Sequence, residues 1–126
     1  MKIVYTCFCT DVIHEGHINI LTEAKKYGKL IVGILSDSAM IRYNRFPTVD
    51  FAERVRIVEE LGIADKIITQ DDIMYDKVVA EIHPDYVIHG DNWKNGPEKA
   101  IRDNAEKLLE AYGGSIIDVN DVIGMN

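Results

Sequence analysis

Short apolar runs alternate with amphipathic stretches along the chain, and that alternation restricts the fold more than any other feature. Ile3-Val4-Tyr5 reads as a strand, and Leu30 to Leu35 (LIVGIL) as a second. The second run is apolar throughout, as a strand covered on both faces requires. Lys66 to Thr69, Tyr86 to His89 and Ser115 to Val119 supply three more. Between them, His17 to Tyr27 carries Ile20, Leu21 and Ala24 at helical spacing, and Gly28 is placed to cap it. Phe51 to Leu61 sets Val55, Val58 and Leu61 on one face, with Asp50 and Glu53 at capping-box spacing. Lys77 to Ile82 is a shorter helix stopped by His83-Pro84. Glu98 to Tyr112 is a long one, with Pro97 near its first turn and Gly113-Gly114 at its end. Strand and helix in turn predict an α/β fold, five parallel strands with helices on both faces. Ligands in such folds bind beyond the carboxyl ends of the strands, where the strand order reverses. Residues 6–17, 36–47 and 89–96 follow strands, so chemistry is expected there.

A chain of 126 residues fits one domain, spanning 1–126. Its net charge of -7 argues against a general nucleic-acid binder, so an anionic ligand must meet a local cationic site. No apolar run approaches the ~18 residues of a membrane span. The N-terminus lacks a signal-peptide pattern, so the expected location is the cytoplasm. Cys7 and Cys9 are too close for an ordinary structural disulfide, and no second pair completes a zinc site.

The junction after the first strand reads Cys9-Thr10-Asp11-Val12-Ile13-His14-Glu15-Gly16-His17. It has neither the glycine pattern of dinucleotide folds nor that of a P-loop. It places His-x-Gly-His at the mouth of a helix instead. A helix N-terminus has unsatisfied N–H groups and partial positive charge, so it favours phosphate. Gly16 lets backbone approach a ligand closely. His14 and His17 are three apart, so both rings can face one side and donate to phosphate oxygens as charge grows. Removing one such donor typically raises a barrier by ~3–4 kcal/mol. Two plainer readings stay open: packing at a helix start, and chelation of a metal. No carboxylate or third His at motif spacing supports the second, and no metal ligand is assigned.

These residues resemble the HxGH nucleotidyltransferase superfamily, and most closely its cytidylyltransferases. His14-Glu15-Gly16-His17 matches the superfamily motif, and Cys9-Thr10-Asp11 stands where small cytidylyltransferases have Thr-Phe-Asp. Glu53-Arg54 matches an arginine at a helix start. Gly90-Asp91-Asn92-Trp93 resembles the Gly-Asp-Asp-Trp of glycerol-3-phosphate cytidylyltransferase. Tyr86 through Arg102 is more similar still to cytidylyltransferase domains of phosphonate biosynthesis, often joined to phosphoenolpyruvate mutase. The resemblance implies a Rossmann-like three-layer sandwich, a homodimer and a magnesium-dependent reaction. A phosphate or phosphonate oxygen of a small anionic acceptor would attack the α-phosphorus of CTP. His14 and His17 would meet the triphosphate, and Cys9, Thr10, Asp11 and Gly16 would line the nucleotide. Arg45 stands where the family has a phosphate-binding lysine. Arg54 would orient its loop or meet a phosphate. Asp91, Asn92 and Trp93 would shape the nucleotide pocket, and Lys77 and Arg42 would reach the acceptor. Each has a plainer alternative: Arg54 pairing with Asp50 or Glu53, Arg42 and Arg45 solvated in a loop, Trp93 in the core, Lys77 on the surface.

Two features depart from the family pattern. Asn92 replaces its second Asp. Asp121-Val122-Ile123-Gly124-Met125-Asn126 carries the Gly of its C-terminal phosphate-wrapping segment without the hydroxyl residues. That leaves two rivals to the CTP enzyme. One is an adenylyltransferase of the same superfamily acting on a sugar phosphate. The other is a nucleotide-binding domain without turnover.

Overall fold

The computed structural model describes residues 1–8, 15–43 and 46–119, with the side chains of Glu15, Gly16, Asp91, Asn92 and Pro97 left out. Five strands form one parallel sheet: β1 (Ile3–Phe8), β2 (Lys29–Leu35), β3 (Lys66–Gln70), β4 (Tyr86–Gly90) and β5 (Ser115–Val119). Their order is β3-β2-β1-β4-β5. The chain steps outward from β1 to β3, then returns to β1's other edge for β4. Val4 is registered on Leu30 of β2 and on Tyr86 of β4. The order therefore reverses between β1 and β4, the position where open α/β sheets bind ligands.

The helices are α1 (Glu15–Lys25), α2 (Asp37–Arg42), α3 (Phe51–Leu61), α4 (Asp76–Ile82) and α5 (Lys99–Glu110). Side chains alternate across the sheet, so β1 feeds two cores. Val4 and Phe8 pack with Ile20, Leu21 and Ala24 of α1 and Val58 of α3. Tyr5 and Cys7 pack with Val78 and Val79 of α4 and Ala105 and Leu109 of α5. Helices thus cover both faces, giving the expected three-layer α/β sandwich.

The differences from expectation have physical causes. β1 runs on through Thr6, Cys7 and Phe8, all buried and paired with β2. α2 occupies a stretch read as loop. Ser36 caps it by accepting the Ala39 N–H at 3.2 Å, and Ala39 and Met40 are buried. α1 stops at Lys25, short of Tyr27, and Gly28 serves a close approach rather than a cap. Its φ is +151, and a Cβ there would lie 2.2 Å from the Lys2 carbonyl oxygen. Gly96–Glu98 is a separate 3-10 turn, so α5 begins at Lys99 and ends at Glu110. Asp50 does cap α3, accepting the Glu53 N–H at 2.9 Å.

Gly33 opens space for a long-range bond. A Cβ at Gly33 would fall 1.7 Å from the Tyr5 hydroxyl, so only glycine lets that ring cross β2. Tyr5 then donates to Gln70 Oε1 at 2.5 Å, and Gln70 Nε2 donates to the Asp72 carbonyl at 2.7 Å. Burial pushes the Tyr5 phenol well above its ordinary pKa, which keeps it a neutral donor. The loop after β3 is tied to the sheet centre by this pair. Among the described residues, no helix is long and apolar enough to cross a membrane.

Candidate active site

α1 starts above the carboxyl end of β1, at the reversal point. Gly16 and His17 lie in its first turn. The His17 ring packs edge-on against Phe8, the last residue of β1, with centroids 4.9 Å apart and planes at 62°. That contact holds the imidazole at the helix mouth, beside the N–H groups of the first turn. Cys9, Thr10, Asp11 and His14 lie outside the described residues, as does Arg45.

Arg54 sits in the first turn of α3 with 1% exposure. A cation there opposes the helix dipole, so other contacts must hold it. Its Nη1 donates to the Leu35 carbonyl at 2.7 Å and its Nε to the Val49 carbonyl at 3.1 Å. Its Nη2 pairs with Asp37 at 2.5 Å. The partner is neither Asp50, which caps the helix, nor Glu53, which bonds Arg56 at 2.7 Å. Arg54 therefore clamps the end of β2 and the start of α2 onto α3. Arg42, at the end of α2, is exposed and donates to the Asp71 carbonyl. Lys77 is exposed on the first turn of α4.

After β4 the chain makes a 3-10 turn, Asp91–Lys94. Trp93 is 1% exposed, and its indole N–H donates to Asp118 Oδ1 at 2.7 Å. It stacks on His89 with centroids 4.0 Å apart and planes at 11°. The Trp93 indole is thus committed to the protein's own core and holds the Asp91–Asn92 segment from beneath. Arg102 of α5 grips the same carboxylate, with Nη2 2.8 Å from Asp118 Oδ2. Burial alone would raise the Asp118 pKa, but the Arg102 and Trp93 hydrogen bonds outweigh it and hold the carboxyl below the usual range.

A pH prediction follows from that balance. A carboxyl whose folded pKa is lowered stabilises the fold above its unfolded value of about 3.9, and the contribution is lost as pH falls through the lower folded value. Trp93 is the only tryptophan, so its fluorescence reports the contact. Below pH about 4 the wild-type signal should shift toward that of Asp118→Asn at neutral pH. Identical acid profiles for the two proteins would contradict the assignment.

A pocket opens beside this turn, on the α4 and α5 face, with about 310 Å³ of space including its mouth. Tyr43, Gln70, Tyr75, His89, Trp93 and Glu98 line it. The His89 Nδ1–H donates to the Gly90 carbonyl at 2.8 Å, and the Tyr75 N–H donates to Asn104 Oδ1 at 3.1 Å. No sequence motif marked His89, Gln70, Glu98 or Asp118. A polar residue ending an apolar strand, as in Tyr86-Val87-Ile88-His89, was the available signal for the first. Among the described residues, no cluster of His, Cys, Asp or Glu is arranged to hold a metal ion.

A family model described as cytidylyltransferase-like matches residues 4–115. The bifunctional protein HldE of Geobacter metallireducens is 31% identical over 126 residues, covering 98% of this chain and 25% of its own length. That of Histophilus somni is 33% identical over 122 residues, covering 94% and 25%. The chain thus spans about a quarter of the length of these curated relatives. The lipopolysaccharide core biosynthesis protein of Thermoplasma volcanium superposes with a TM-score of 0.76, at 26% identity over 95% of each chain. Pantoate-beta-alanine ligase of Francisella tularensis superposes with a TM-score of 0.65 over 94% of this chain and 59% of its own. At 16% identity that second likeness shows the fold alone.

Proposed function

On the premise that this chain belongs to the cytidylyltransferase-like family, we propose that it transfers CMP from CTP to a small phosphonate or phosphate ester and releases pyrophosphate. The observation that carries this is His17, held by Phe8 at the mouth of α1 where the strand order reverses. An acceptor oxygen forms a new bond to the α-phosphorus, and the bond from that phosphorus to the β-phosphate bridging oxygen breaks. His17 and His14, with the N–H groups of the α1 first turn, stabilise the charge that builds on the phosphoryl oxygens. Arg45 meets the outer phosphates, and Arg54 holds the end of β2 and the start of α2 in place. Cys9, Thr10 and Asp11 pass close to the nucleotide, and Asp91 and Asn92 frame its base on the turn that Trp93 supports. Arg42 and Lys77 attract the acceptor's anionic group. Magnesium enters with the nucleotide phosphates. The active form is a homodimer.

A second reading keeps the chemistry and changes both substrates: ATP as donor and a sugar phosphate as acceptor. Likeness to the lipopolysaccharide core biosynthesis protein of Thermoplasma volcanium favours it, since a lipopolysaccharide is made in part of sugars. The test is pyrophosphate release with CTP or ATP against 2-aminoethylphosphonate, 2-hydroxyethylphosphonate, glycerol 3-phosphate and a sugar 1-phosphate. Turnover with CTP and a phosphonate or phosphate ester is the expected result. Turnover confined to ATP and the sugar phosphate establishes the second reading. CTP binding with no turnover in any pair identifies a binding domain instead.

A further inference from the structure

We propose that Asp118 is a positioning residue for nucleotide binding: without touching the substrate, it sets the Asp91–Lys94 turn in the shape that receives the nucleotide. The inference rests on the reading above that Asp91 and Asn92 frame the base, and it names the residue that maintains that frame.

The turn has little to hold it locally. No side chain caps it at Gly90. Asp91 and Asn92 stand between the end of β4 and Trp93, so their backbone goes where Trp93 is fixed. Trp93 folds back over β4 to stack on His89, and its indole N–H donates to Asp118 Oδ1 at 2.7 Å. An indole N–H can only donate, and at 1% exposure that of Trp93 is cut off from solvent. The sheet places Asp118 for this bond. Its register partner in β4 is His89, the residue on which the indole stacks.

The carboxylate is fixed in turn from α5. Arg102 donates from Nε to Oδ1 at 3.3 Å and from Nη2 to Oδ2 at 2.8 Å. Lys94, the last residue of the turn, has its Nζ 3.9 Å from Oδ2. One anion thus faces two cations and an indole, and it joins the turn, α5 and β5. An amide in its place would offer one oxygen to these donors and turn its own NH2 toward them. The turn then leaves its present shape in most molecules. Nucleotide binding must restore that shape, so the apparent affinity falls in proportion to the fraction still competent.

The experiment compares nucleotide KM and kcat for the full chain, Asp118→Asn and Asp65→Asn, with the acceptor saturating. Asp65 is the control. It makes comparable bonds, with Lys25 Nζ at 2.5 Å and the Leu30 N–H at 2.8 Å, but at the amino ends of the strands. Both substitutions should lower Tm. Only Asp118→Asn should raise the nucleotide KM, by about 10- to 100-fold, the factor that one stranded buried donor imposes on the competent population. Its kcat should stay within about threefold, and Asp118→Glu, which keeps the charge, should recover part of the lost affinity. An unchanged nucleotide KM in Asp118→Asn, or an equal rise in Asp65→Asn, overturns the inference. Should Asp118→Asn fail to fold, Asp118→Glu decides: a raised nucleotide KM upholds the inference and an unchanged one overturns it. Should no acceptor turn over, calorimetry with CTP and with ATP decides separately. Weaker binding by Asp118→Asn than by the wild type upholds the positioning role while the transfer reading fails. Equal binding by the two proteins, or none by the wild type, overturns it.

Discussion

Replacing His17 by alanine lowers kcat by about 10²- to 10³-fold and moves the melting temperature by only a few degrees. The first figure is that for deleting one preorganised donor to charge that develops in the transition state. The second follows from what the ring touches. His17 is half-buried, and its ring meets Phe8 edge-on. Losing it costs about 1 kcal/mol, or roughly 4 °C for a domain this size. CTP affinity should fall much less than turnover, because the interaction strengthens as the reaction proceeds. A variant with near-normal turnover would show that His17 merely packs at a helix start.

Arg54→Ala behaves in the opposite way, with a large loss of stability. The guanidinium is 1% exposed and makes three bonds, to Leu35, Val49 and Asp37. Its removal strands two carbonyls and leaves a void beneath the loop after β2. Breaking buried pairs of this kind costs 3–5 kcal/mol, but Asp37 is 39% exposed and recovers some hydration. A loss of about 3 kcal/mol is expected, read as a fall of roughly 12 °C in Tm. Arg54→Lys should recover little, because one ammonium cannot span three acceptors set in different directions. Surviving Arg54→Ala protein should show a raised KM for the nucleotide with a smaller change in kcat, as the end of β2 and the start of α2 lose their anchor. Unchanged stability would mean that the clamp is replaceable.

The contrast between these residues shows what could be read from the chain itself. Both stand in matching motif positions. His17 stands where a local helical pattern begins, so its placement in the first turn of α1 is legible from hydrophobic periodicity alone. The partner of Arg54 is not local. Asp50 and Glu53 were the obvious candidates by spacing, yet Asp50 is engaged in capping α3 and Glu53 in pairing Arg56. Asp37 becomes the partner only because α2 forms, and a six-residue helix with two buried residues has too weak a period to be seen. Trp93 tells a similar story. Its motif suggested a wall of the nucleotide pocket, but its hydrogen-bond partner lies 25 residues on, at Asp118 of β5. Parallel pairing of β4 with β5, which sets His89 opposite Asp118, is what brings them together. The central strand β2 was legible because it is buried on both faces and apolar in consequence, as LIVGIL shows, whereas the edge strands β3 and β5 are only partly buried. β1 ran longer than expected because Thr6 and Cys7 interrupt its apolar pattern while still being buried.

The most direct test of the central claim follows the α-phosphorus. CTP labelled there is incubated with the protein, magnesium and the preferred acceptor, and the products are separated. Attack at the α-phosphorus predicts that the label moves into an acceptor-linked CMP product, with one unlabelled pyrophosphate released per transfer. Label found only in free CMP or CDP, with no acceptor-linked product, would contradict nucleotidyl transfer by this chain.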